Sequence, residues 1–136
     1  SEPKCLSRPL YGFENTEHTI NNEGPYAFYY HNKIYLAYSG GDARGYLYAI
    51  GMLTANDGDD LCDLSVWEKA KTPIASFATI PGEYGPGHNS FFWDRDQNLW
   101  IAYHAVTSFE EKIVSSGMRR VYFEQDKTPR FDVIVE

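Results

Sequence analysis

Positive charge is in short supply: 12 Lys and Arg stand against 19 Asp and Glu, a formal charge of −7. With no basic cluster, the chain lacks the concentrated charge that phosphate binding needs, which argues against nucleic acid as a partner. No apolar run approaches the ~18 residues of a membrane helix, so no membrane span is expected. Cysteine is scarce as well. Cys5 and Cys62 are the only two, they form no metal or redox motif, and they permit one disulfide without requiring it. There is no initial Met: the chain begins at Ser1, which points to a signal, a tag or more protein upstream. Helical periodicity is nearly missing too, and residues 109–114 form the one stretch that reads as a short helical turn.

Aromatic residues are abundant, with 11 Tyr, 8 Phe and 3 Trp, and most fall in short alternating runs. Tyr and Trp join a large apolar face to a polar edge, which suits both sheet packing and sugar recognition. Strand signals recur at residues 26–30, 33–38, 46–53, 90–93, 99–103 and 118–123. Each run is short, aromatic or β-branched, and bounded by Gly, Asn, Asp or Pro. His31-Asn32 reads as a tight hairpin turn, and Asp94 to Asn98 as a longer one. The polar run Asn56 to Asp60 lacks the spacing of a calcium loop and reads as a solvated turn.

The hairpins repeat. Phe28-Tyr29-Tyr30 lines up with Phe91-Phe92-Trp93, and Tyr35-Leu36-Ala37-Tyr38 with Trp100-Ile101-Ala102-Tyr103, given a two-residue insertion in the second turn. Hairpin units of this period predict an all-β chain of about two four-stranded antiparallel blades of a β-propeller. The expected layout is a single partial propeller domain over 1–136. It has a lead-in at 1–20, one blade at about 21–80 and a second, with the closing strands, at about 81–136. Propellers usually close with about 4–8 blades. Two alone leave sheet faces and strand edges exposed, so the chain is expected to form a homo-oligomer or to associate with an absent N-terminal half.

Chemistry concentrates where each repeat begins. Asn22-Glu23-Gly24-Pro25-Tyr26 precedes the first strand run, and Gly85-Pro86-Gly87-His88-Asn89-Ser90 precedes its counterpart, with Pro25 aligned to His88. Innermost propeller strands converge on the axis, so Glu23 and His88 are expected to reach one shared pocket. A carboxyl poorly solvated among Gly and aromatics is suited to general acid work.

In series, these motifs resemble glycoside hydrolase family 43. They run from Asn22-Glu23-Gly24-Pro25 through Tyr48-Ala49-Ile50-Gly51 and Gly85 to Ser90, then Tyr103-His104-Ala105, and close on Arg119-Arg120-Val121-Tyr122-Phe123. The resemblance implies an incomplete five-bladed propeller, the C-terminal part of an arabinanase, arabinofuranosidase or xylosidase acting on arabinose- or xylose-containing plant oligo- and polysaccharide. It implies Glu23 as the general acid and His88 as the central histidine that helps hold a hydrated calcium or other ion. Arg119 or Arg120 would contact the sugar, with Tyr26, Asn89, Ser90 and His104 as pocket neighbours. The family inverts, so a carboxylate must also activate water. The family's base and its second Asp both fall before the acid's blade and have no counterpart here. Asp42, Asp94 and Asp96 are substitutes by residue type only, and none is assigned. Hydrolysis would then need an N-terminal half. A non-catalytic carbohydrate-binding or assembly module is the alternative reading, and secretion, extracellular or periplasmic, follows from the substrate class by analogy.

Overall fold

The computed structural model describes residues 2–108, 110–111 and 113–132. Among them the chain is all-β apart from two single-turn 3-10 helices at Gly12–Glu14 and Leu64–Val66. A ribbon of β1 (Asn15–Thr16) and β2 (Thr19–Ile20) leads into a four-stranded antiparallel sheet. That sheet takes β3 (Asn22–Tyr30), β4 (Lys33–Gly40), β5 (Ala49–Asn56) and β6 (Glu68–Lys69) in chain order. Among the described residues the second sheet has three strands rather than four, β7 (Tyr84–Trp93), β8 (Leu99–Ser108) and β9 (Ile113–Arg120). A ribbon of β10 (Tyr122–Phe123) and β11 (Pro129–Arg130) follows.

Local chemistry explains the turns. His31 and Asn32 both take positive φ, 44° and 64°, the backbone that lets a two-residue hairpin follow the right-handed strand twist. Asp94 holds the longer turn by accepting the Asn98 and Asp96 N–H groups, the Asn98 amide and the Trp100 indole N–H. The expected helical turn at 109–114 does not form over its described part: residues 110–111 make a turn and β9 starts at Ile113, while Phe109 and Lys112 lie outside the described residues.

One hydrophobic core lies between the two sheets, and β7 packs against β3, β4 and β5. Phe28, Tyr35 and Ala37 of the first sheet meet Phe91, Ile101 and Tyr103 of the second. The Phe28 and Phe91 rings stand 4.5 Å apart. The opposite face of the second sheet exposes Phe92, Val114 and Met118. Cys5 and Cys62 are exposed free thiols that border one open hollow.

Strand pairing corrects the repeat by one residue. Phe28 pairs with Tyr35, and the stacked pair that answers it is Phe92 with Trp100. Phe92, not Phe91, is therefore the counterpart of Phe28, and the second turn carries one extra residue instead of two. Carried back along the strands, the corrected register sets Glu23 opposite Gly87 and Gly24 opposite His88. The backbone agrees. Both innermost strands bulge at this point, and Gly24 and His88 share the left-handed conformation, with φ of 56° and 52°.

Candidate active site

Glu23 sits on β3 beside Ser39 of β4, immediately before the bulge. Gly24 admits the left-handed backbone there without steric cost. The Glu23 side chain is half-buried, and the Tyr48 hydroxyl, reaching across from just ahead of β5, donates to its Oε1 at 2.8 Å. His88 occupies the equivalent bulge on β7, a conformation unfavourable for a residue with a Cβ. Its N–H donates to the Ser39 hydroxyl at 2.8 Å, so the strand partner of Glu23 also anchors the histidine's backbone.

Glu23 and His88 come to the same end of the sheet interface, but they border separate hollows and not the shared pocket expected. A Cβ built on Gly24 would stand 3.7 Å from His88 Nδ1. The His88 ring stacks on His104 of β8 with centroids 6.2 Å apart, and His104 stacks on Tyr48 at 5.7 Å. Carboxylate, phenol and two imidazoles thus form one contiguous cluster contributed by both sheets. Each end also opens on its own hollow. Glu23 borders one of about 250 Å³ beneath the N-terminal segment, with Lys4 and Ser7. His88 borders another of about 410 Å³, with Ser90, His104 and Ser116. A hollow of about 560 Å³ between Lys33, Asp126 and Arg130 lies at the far end of the strands, away from this cluster.

Burial pushes the Tyr48 phenol well above its ordinary pKa; the Ser39 hydroxyl opposes this and the Glu23 carboxylate adds to it. The phenol therefore remains a hydrogen-bond donor throughout the neutral range. Burial lowers the His104 pKa, the neighbouring His88 lowers it further, and Glu23 partly offsets both. A carboxyl oriented by a buried phenol is suited to giving or taking a proton at a fixed point.

The sequence profile of the glycosyl hydrolases family 43 matches residues 4–129. The chain belongs to this family. It is similar to the extracellular exo-alpha-(1->5)-L-arabinofuranosidase of Streptomyces avermitilis, 30% identical over 98% of this chain and 29% of that protein. Its likeness to the enzyme of the same name from Streptomyces chartreusis is 38% identity over 74% of this chain and 30% of that one. The crystal structure of an alpha-L-arabinofuranosidase from Lactobacillus brevis superposes with a TM-score of 0.80 at 29% identity, covering 93% of this chain and 41% of that one. The chain therefore spans under a third of the length of these curated relatives.

The other family-43 positions are distributed unevenly. Ser90 shares the His88 hollow. Asn89 is 5% exposed, and neither of its side-chain amide atoms has a hydrogen-bond partner among the described residues. Tyr26 is partly exposed on β3, with its ring 6.0 Å from Phe91. Neither arginine joins the cluster, because both lie on β9 with β8 between them and β7. Arg119 binds Glu83 at 2.9 Å and donates to the Tyr103 hydroxyl, while Arg120 lies over the Tyr122 ring. No second carboxylate is added by the alternatives. Asp94 and Asp96 sit in the turn at the opposite end of β7, where the Asn98 and Trp100 donors lower the Asp94 pKa to about 2. Asp42 accepts the Arg44 N–H in the loop after β4.

Calcium takes six to eight oxygen ligands. Among the described residues no three His, Cys, Asp or Glu side chains gather to hold a metal, and His88 offers nitrogen. An ion beside His88 would therefore take its remaining ligands from water or from groups beyond these residues.

Proposed function

We propose that this chain supplies the general acid, Glu23, of a glycosidase that hydrolyses arabinose- or xylose-containing polysaccharide with inversion. The observation that carries this reading is the cluster in which Tyr48, donating to the Glu23 carboxyl, stacks on His104 and through it reaches His88 of the second sheet. In the reaction Glu23 gives its proton to the departing glycosidic oxygen as the bond to the anomeric carbon breaks. Water adds to that carbon from the opposite face and yields its proton to a carboxylate base. That base comes from chain beyond these residues, since Asp42 and Asp94 are engaged elsewhere and Asp96 lies in the turn at the far end of β7. His88 and Ser90 border the sugar. The relatives named as extracellular arabinofuranosidases support secretion and favour arabinose. Further blades or a second copy of the chain cover the exposed Phe92–Met118 face.

That none of those three aspartates joins the cluster also favours a second reading, a carbohydrate-binding module without turnover. One experiment separates the two. Hydrolysis of arabinose- and xylose-containing disaccharides, whose leaving oxygens must be protonated, is measured for the full-length gene product and for Glu23→Gln. Loss of a positioned general acid is expected to cost about 10²–10⁴-fold in kcat. An unchanged rate removes the acid assignment, and binding of arabinan or xylan without any turnover selects the module.

A further inference from the structure

Tyr48 is fully buried although it carries a hydroxyl, and that hydroxyl is spent on Glu23. Its ring packs against the second sheet at two neighbouring points. One is Gly87, where a built Cβ would fall 2.0 Å from Tyr48 Cε1, so any side chain at that position would collide with the ring. The other is the cross-strand partner of Gly87, His104, whose ring lies nearly parallel, at 12°. Gly87 is the counterpart of Glu23 in the repeat. Where the first blade has a carboxyl, the second has no side chain, and the space admits a phenol from the first blade.

We propose that Tyr48 is the positioning residue of Glu23: seated against Gly87 and His104 of the second sheet, it fixes the carboxyl's rotamer and directs the acid's proton to Oε2. This rests on the assignment of Glu23 as the acid. The chemistry is direct. A carboxyl oxygen that already accepts a phenol O–H is the poorer place for the acidic proton, so the neutral acid carries it on the other oxygen. A donor held to one orientation then meets the leaving oxygen without searching other rotamers. A misplacement of about 1 Å in such a group can cost about 10²-fold. The phenol can do this only because its own ring cannot swing, which is what the contacts with the second sheet secure.

Tyr48→Phe keeps the ring and its packing and removes only the hydroxyl. In the full-length gene product it is compared with wild type and Glu23→Gln on two substrates. One is an arabinose-containing disaccharide, whose leaving oxygen must be protonated; the other is a dinitrophenyl arabinofuranoside, whose leaving group departs unaided. Tyr48→Phe is expected to lower kcat on the disaccharide by about 10–10²-fold with KM nearly unchanged, and to leave the dinitrophenyl substrate within about threefold. Equal losses on both substrates, or none on either, overturn the positioning role. Should Glu23→Gln spare the disaccharide, the acid assignment fails and Tyr48 with it. If Glu23→Gln is impaired on the disaccharide alone while Tyr48→Phe matches wild type, only the Tyr48 proposal falls. A second measurement needs no turnover. By carbon NMR of labelled tyrosines in this chain, Tyr48 should titrate above the exposed tyrosines, and Glu23→Gln should bring its titration down. A Tyr48 titration indifferent to Glu23→Gln removes the hydrogen bond and the proposal together.

Discussion

Glu14 is fully buried, and its carboxylate accepts the Leu10 and Tyr11 N–H groups, the Tyr38 hydroxyl and the Asn22 amide, with Lys69 Nζ 2.5 Å away. It ties the N-terminal segment to the first sheet one residue before Glu23. Burial raises the Glu14 pKa, but Lys69 and the other donors outweigh burial and bring it below the usual carboxylate value. His104 also has a depressed pKa, with burial the largest cause. In both cases the unfolded chain binds the proton more readily than the folded one, so acid favours unfolding. The His104 contribution is complete above the ordinary histidine value of 6.5 and is lost as pH falls below it toward the lower folded pKa. The Glu14 contribution is lost in the same sense below 4.5. Urea unfolding followed from neutral pH downward should therefore show stability falling in two successive windows. Stability that stays flat across both would contradict the two environments.

At the scale of elements, the two bulges make a matched pair with different occupants. The first blade places Gly24 in the left-handed position, whereas the second places His88 there. A residue with a Cβ pays roughly 1–2 kcal/mol for that backbone, so the histidine is retained against local preference, as happens at functional sites. His88→Gly is expected to be more stable than His88→Ala by about 1 kcal/mol, although both remove the imidazole. Urea melts of the two variants check this, and equal stabilities would show that the bulge is unstrained. The strands themselves were largely legible from aromatic and β-branched runs between turn residues, and so was the two-residue turn at His31-Asn32. The bulges were not. The Gly and Pro residues around 24–25 and 85–87 carry no alternation for a bulge to interrupt, and the one-residue shift of the repeat has a separate source, since the consecutive aromatics at 28–30 and 91–93 align nearly as well one position apart. Residues 46–48 read as strand because they alternate Tyr and Leu, yet they precede β5 as a loop. Glu23 and His88 were legible through the motif series. Tyr48 was visible only as part of Tyr48-Ala49-Ile50-Gly51, because its role depends on Gly87, 39 residues away in sequence. The requirement for Gly between Pro86 and His88 was the signal that could have shown it.

For the whole molecule, the core that joins the sheets matters more than either sheet alone. Phe28 is 7% exposed, stacks on Tyr35 at 4.9 Å and meets Phe91 of the second sheet. Truncation there removes contacts from both sides. Phe28→Ala is expected to destabilise the chain by about 3–5 kcal/mol, and because one core serves both sheets, probes in each should report the same transition. Separate transitions for Trp67, ahead of β6, and Trp100, on β8, would show two independently folding units. This dependence bears on the proposed chemistry as well. The Glu23 carboxyl is held by a phenol whose ring packs on the neighbouring hairpin. An isolated Glu-Gly-Pro hairpin would keep its carboxyl but lose the grip that aims it. The carboxyl and its orientation are thus inherited from different stretches of chain, and a site of this kind cannot be transplanted one hairpin at a time.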